Sequence, residues 1–193
     1  MADGAVRTAL VLASSSPQRR AILEQLRIDF EVVPVDVEER TSGVPHEVAR
    51  DNALAKARAG EAARPLATVL GVDTIVVCDG AILGKPASES DAEMMLGRLS
   101  GRTHRVISGL ALIRSSNPQV VHEVTEVTFR TLGDGLVRRY VQTGEWAGRA
   151  GGYAIQGQGA GLVRSIAGDY LNVVGLPVGA LLDLNLSLML RDY

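Results

Sequence analysis

Residues 8–23 read TALVLASSSPQRRAIL, and the order of residue types in them sets the pattern for the rest of the chain. Thr8 to Ala13 is a short apolar run bounded by small polar residues, which predicts a buried strand. Ser16 followed by Pro17 is a helix start, a capping hydroxyl before a proline at the first helical position. Ile22, Leu23 and Leu26 then recur at helical spacing. Arg19 and Arg20 fall in the first turn, beside the positive end of the helix dipole, where acidic side chains are normally favoured. Two readings stand at this point. Either an anion joins the arginines at the free N–H groups of the helix start, or both lie along the helix flank in water.

Working outward, FEVVPVDV (residues 30–37) predicts a second strand, followed by the acidic turn Glu38-Glu39-Arg40. Pro45 opens an alanine-rich stretch of high helix propensity that carries Lys56 and ends before Pro65. In ATVLGVDTIVVCDGAILGKP (residues 67–86), two apolar runs flank Gly71-Val72-Asp73-Thr74, and Asp79-Gly80 signals a hairpin. Ser88 to Leu99 predicts a helix with Asp91 completing a capping box and Gly101 at its exit. Thr103–Ile113 and Gln119–Arg130 are the expected arms of a long hairpin turning on Ser-Ser-Asn-Pro. Beyond a short helix at Asp134–Val141 comes the glycine-dense segment AGRAGGYAIQGQGAG (residues 147–161). A strand at Leu162–Ala167, the loop GDYLNVVGLP and an apolar helix opening at Pro177 close the chain. Strands and helices are mixed rather than strictly alternating, which predicts an α/β or α+β arrangement around one mixed sheet.

With 193 residues the chain is long enough to bury a substantial core, as one domain or a tightly joined pair. Hydrophobic residues make up 46% and charged residues 22%, an ordinary soluble balance. The net charge of −2 gives no global basic field for nucleic acid, so anion recognition requires a local cluster. The single cysteine, Cys78, sits in an apolar run and reads as a buried structural thiol. The N-terminal stretch lacks a leader pattern and its apolar run is too short for a membrane span, so the chain reads as cytoplasmic.

Several standard signatures are missing from the sequence: CxxC, HExxH and GxSxG. His46, His104 and His122 have no metal-ligand spacing. Gly80 to Pro86 imitates a P-loop but is one residue short, with Pro86 where a magnesium-binding hydroxyl belongs. What remains are polar residues at the ends of apolar runs. Asp73 stands between VLGV and TIVVC, where an isolated carboxylate is costly to bury. Glu39 ends the predicted second strand, Lys85 follows the hairpin, and Lys56 interrupts an alanine-lined helix. With Arg19 and Arg20 these make two carboxylates and four cations, the equipment of polyphosphate chemistry assisted by Mg²⁺.

At these residues the chain resembles a known family. The stretches LASSSPQRRAIL, FEVVPVDVEE, NALAKA, GVDTIVV with DGAILGKP, MLGRLSGRTHRV, VTFR, YVQTGE, AGGYAIQG and GDYLNVVGLP are similar to those of the Maf family, in order from about residue 8 to about residue 186. These are nucleoside triphosphate pyrophosphatases, first known as septum-formation-inhibitor-like proteins. The resemblance implies a single Maf-like domain over residues 1–193, an α/β fold of the inosine triphosphatase type with a cleft between two lobes, and a homodimer. It also implies hydrolysis of a nucleoside triphosphate to the monophosphate and pyrophosphate, assisted by a divalent cation, Mg²⁺ or Mn²⁺. Carried over position by position, Asp73 matches the family's proton acceptor, and Ser14, Arg19, Glu39, Lys56 and Lys85 match its other polar site positions. Asp73 and Glu39 are then the candidate metal ligands. Arg19, Lys56 and Lys85 are expected to stabilise the departing pyrophosphate.

Three positions separate the family's branches. Thr74 and Gln156 match the dTTP/UTP branch and offer hydrogen bonds to a base edge. Gln18 matches neither the arginine of that branch nor the tryptophan of the 7-methyl-GTP branch. The expected substrates are therefore dTTP and UTP, with non-canonical nucleotides in reach. The alternatives are a 7-methyl-GTP-type pyrophosphatase and a non-catalytic nucleotide-binding regulator of cell division.

Overall fold

A computed structural model describes residues 10–189. The N-terminal stretch read above for a leader lies outside these residues, as do Thr8 and Ala9 of the predicted first strand. Strand β1 (Leu10–Leu12) runs into helix α1 (Pro17–Gln25), where the Ser16 Oγ accepts a hydrogen bond from the Arg19 N–H at 3.4 Å and Pro17 opens the helix. Strand β2 covers only Phe30–Val32, not the expected residues 30–37. It is the sheet's edge, its partner β1 offers only Leu10 to Leu12, and Pro34 has no N–H to extend the ladder.

Helix α2 (Pro45–Ala63) and strand β3 (Thr68–Cys78) follow, and the Asp79-Gly80 turn leads into β4 (Ala81–Leu83) as its dipeptide predicts. Helix α3 (Glu89–Leu99) is capped by the Ser88 Oγ, but the return bond of Asp91 goes to the Ala87 N–H rather than to that of Ser88. Strands β5 (Thr103–Arg114) and β6 (Asn117–Phe129) form the long hairpin. Its turn is Ser115-Ser116, both at positive φ (50° and 59°), so Asn117 and Pro118 belong to the strand and not to the turn. Two positive φ values suit the right-handed twist of a two-residue hairpin. Helix α4 (Asp134–Val141), strand β7 (Val163–Ala167) and helices α5 (Tyr170–Val174) and α6 (Val178–Leu184) complete the order.

The seven strands make one mixed sheet in the order β2-β1-β3-β5-β6-β7, with β4 added beside β3. β1 is parallel to both neighbours and the remaining pairs are antiparallel. One detail positions the site. β5 runs along one edge of β3 from Val69 to Val77. On the opposite edge β1 pairs only with residues 68–70 and β4 only with residues 76–78. Residues 71–75 therefore look out through a gap in the sheet.

Side chains along β3 alternate between the two faces. One face is covered by α2, whose Ala49, Ala53 and Ala57 are fully buried. A Cβ added at Gly71 would stand 2.2 Å from the Ala53 carbonyl oxygen, and one at Gly109 2.0 Å from that of Ala49. The helix thus lies almost backbone to backbone on β3 and β5, which explains its alanine content. The other face holds two separate apolar clusters. One joins Leu12, Leu23, Leu70, Leu110, Leu176 and Leu181; the other joins Val76, Leu96, Leu99, Phe129 and Leu162. These are the two lobes, and Thr74 falls between them on β3.

Candidate active site

Asp73 projects from β3 toward α2 and is 5% exposed. Both of its carboxylate oxygens are held from that helix. The Asn52 Nδ2 donates to one at 3.0 Å, and the Lys56 Nζ donates to the other at 2.6 Å. Asn52 and Lys56 are one helical turn apart, so one face of α2 delivers both. The close approach allowed by Gly71 and Gly109 brings them within reach. Lys56 also bonds Glu39 at 2.6 Å, so a single ammonium bridges the two carboxylates. Glu39 is kept in place by its neighbour. The Asn52 amide accepts from the Arg40 N–H at 2.8 Å and donates to the Arg40 carbonyl at 3.0 Å. Asn52, absent from the sequence-derived set, therefore keys the loop carrying Glu39 onto the helix carrying Lys56. Its spacing of four residues from Lys56 was the available signal.

At the start of α1 the two arginines part company. Arg20 is exposed and pairs with Glu24 at 2.7 Å, so it lies along the helix flank in water. Arg19 is buried. It donates to the Gly175 carbonyl at 2.9 Å, the Ser14 Oγ at 3.1 Å and the Thr74 Oγ1 at 3.2 Å. Among the described residues no carboxylate bonds it directly. Burial lowers the pKa of its guanidinium below the ordinary value, and the fields of Asp73 and Glu39 act the other way. The Thr74 hydroxyl lies 2.9 Å from that of Ser108, which is fully buried on β5. Thr74 is thus engaged inside the protein on two sides.

The gap in the sheet opens into a cavity of about 420 Å³ between the lobes. Ser14, Arg19, Glu39, Lys56, Asp73, Thr74 and Lys85 all line it. Lys85, at the end of β4, is largely exposed with its Nζ 3.9 Å from Glu39. A fourth cation, Arg149, comes from the glycine-dense segment and was not singled out in the sequence. Four cations thus stand around two carboxylates, in a chain whose net charge is −2. Such a wall favours an anion. A second cavity of about 240 Å³ adjoins the first and contains Gln156. Gln18, Arg149 and Tyr153 line both. Of the three branch-separating positions, Thr74 therefore lies at the charged end, Gln156 at the other, and Gln18 between.

Tyr153 is fixed from behind. Its hydroxyl is 2.7 Å from the His104 Nε2, and both rings meet Phe129 edge to face. His104 is 2% exposed, and burial lowers its pKa to about 4, so it is neutral at pH 7. Burial raises the Tyr153 hydroxyl above its ordinary value. Cys78 is buried as expected, and burial pushes its thiol up, away from nucleophilic use.

As a metal site the donor set is partial. Among the described residues no three His, Cys, Asp or Glu side chains gather around one point. Asp73 and Glu39 are two carboxylates converging on one positive centre. That fits Mg²⁺ or Mn²⁺, which take one or two protein carboxylates together with phosphate oxygens.

A mixed α/β sheet with a cation-walled cleft at its gap defines a binder of anionic small molecules. The chain belongs to the Maf-like protein family, whose model matches residues 9–187. A dTTP/UTP pyrophosphatase of Symbiobacterium thermophilum is 51% identical over 171 residues, 88% of each chain. One of Thermococcus gammatolerans is 48% identical, covering 88% of this chain and 91% of its own. One of Pyrococcus abyssi is 44% identical, covering 91% and 94%.

Proposed function

We propose that the protein hydrolyses nucleoside triphosphates, dTTP and UTP foremost, to the monophosphate and pyrophosphate. The observation that carries this reading is the single cleft in which four cations surround two carboxylates joined through Lys56. The names of the relatives support the same activity and the same two substrates. In this reading water attacks the α-phosphorus, the bond from that phosphorus to the β-bridging oxygen breaks, and pyrophosphate leaves. Asp73 accepts the proton of the attacking water, with Asn52 holding its carboxylate in aim. Arg19, Lys56 and Lys85 offset the charge of the departing pyrophosphate. Asp73 and Glu39 would hold Mg²⁺ or Mn²⁺, which supplies charge neutralisation at the phosphates and a more acidic water. Ser14 keeps Arg19 in place. Gln156 and Gln18 offer hydrogen bonds to the base from the smaller cavity, and Thr74 acts on selectivity through its bond to Arg19.

The deciding experiment incubates the protein with Mg²⁺ and, separately, dTTP, UTP, CTP and 7-methyl-GTP, and measures pyrophosphate. Release from dTTP and UTP supports the reading. Preference for 7-methyl-GTP moves the chain to the other branch, and no release from any of them leaves the nucleotide-binding regulator. The same proposal includes a homodimer working in the cytoplasm on a small-molecule substrate, without nucleic acid. The net charge of −2 supports that choice of ligand. Sedimentation should then give twice the chain mass of 20.4 kDa. Among the described residues no helix is long and apolar enough to cross a membrane.

A further inference from the structure

We propose that Arg149 grips the α-phosphate of the bound nucleotide at the junction of the two cavities. The inference rests on the pyrophosphatase reading above and deepens it. The other cavity cations all have partners within the protein. Arg19 donates to Gly175, Ser14 and Thr74; Lys56 joins Asp73 and Glu39; Lys85 stands 3.9 Å from Glu39. The Arg149 Nε is buried with no hydrogen-bond partner, and no carboxylate among the described residues pairs with its guanidinium. A buried donor left without an acceptor is costly. This one lines a cleft, so a ligand can supply the acceptor.

Which part of the ligand does so follows from the two cavities. The larger holds Arg19, Lys56 and Lys85, and so suits the β- and γ-phosphates. Among the described residues the smaller has Arg149 as its one cation, with the Glu145 carboxylate held by the Gln158 and Gly159 N–H groups and Gln156 as a base-edge partner, and so suits the nucleoside. The α-phosphate joins these two parts of the substrate, and Arg149 lines both cavities. Its planar fork matches a pair of non-bridging phosphate oxygens. The loop that carries it is anchored. The Arg149 N–H donates to the Trp146 carbonyl, and the Gly151 N–H donates at 3.0 Å to the Gly84 carbonyl, next to Lys85. Arg149 thus faces the phosphorus under attack, while the other three cations face the leaving group.

The test compares wild type, Arg149→Met and Arg149→Lys for pyrophosphate release from dTTP and UTP with Mg²⁺, and for binding of dTMP and of thymidine by calorimetry. Arg149→Met is expected to lower kcat/KM about 100-fold on both triphosphates. It should weaken dTMP without changing thymidine. Arg149→Lys keeps the charge but loses the fork, and should recover only part of the rate. Unchanged kinetics in either folded variant overturns the inference, as does a loss of thymidine affinity, which would place Arg149 on the base. If Arg149→Met does not fold, as judged by thermal melting, Arg149→Lys decides by the same criteria. A wild-type protein releasing no pyrophosphate would instead refute the function on which the inference rests.

Discussion

Asp73 and His104 are both buried polar side chains, and each has a measurable consequence. Asp73 is accommodated in the interior because Asn52 and Lys56 satisfy one carboxylate oxygen each. Asp73→Asn removes the charge without changing the side chain's size. In the proposed mechanism turnover should fall about 10²–10⁴-fold, with the melting transition still cooperative, because Lys56 retains Glu39. Pyrophosphate assays paired with thermal melts check both halves. His104 carries a pKa of about 4 in the folded protein against 6.5 when unfolded. Between those values the unfolded chain binds the extra proton, so its stabilising contribution is full above pH 6.5 and is lost as the pH falls toward 4. The loss amounts to about 3 kcal/mol when complete. Urea titrations at stepped pH should show that slope, and His104→Gln should flatten it across the same window.

At the scale of elements, the contact between α2 and the sheet sets the site's dimensions. Ala49, Ala53 and Ala57 let the helix settle on Gly71 and Gly109, and that approach brings Asn52 and Lys56 to the carboxylate. Gly109→Ala forces a methyl into the Ala49 carbonyl. It should destabilise the protein by about 1–3 kcal/mol and lower kcat as α2 moves outward. Gly97 on α3 is the control, since a Cβ there meets nothing within 4 Å. Gly97→Ala should stabilise by about 0.5–1 kcal/mol and leave turnover alone. Thermal melts and steady-state rates on the two variants distinguish a tight helix–sheet contact from a general sensitivity to added bulk.

At the scale of the whole molecule, what could be read in the sequence divides by range. Ser16-Pro17, Asp79-Gly80 and the alanine-rich stretch after Pro45 are local signals, and the elements they predict are in place. The end of β2 is set by the three residues its partner offers, which no local pattern records. Arg19 and Arg20 carry the same local signal. The arrival of Gly175 from 156 residues away and of Thr74 from 55 away separates the buried one from the exposed one. Thr74 matches the dTTP/UTP branch at a base-edge position, and the structure adds that its hydroxyl meets Arg19 and Ser108, two partners distant in sequence. Arg149 lies in the glycine-dense segment, where no apolar run or periodicity marks it. Asp73, Glu39 and Lys85 stand at the ends of apolar runs and Lys56 interrupts an alanine-lined helix, places where a charge is expensive unless it meets a partner, and these four line one cavity.

In the proposed reaction this cavity directs water to the α-phosphorus. Hydrolysis of dTTP in ¹⁸O-labelled water, followed by mass spectrometry of both products, locates the phosphorus that water attacks. One labelled oxygen is expected in dTMP and none in pyrophosphate. Label in pyrophosphate, or in orthophosphate released beside dTDP, would contradict it.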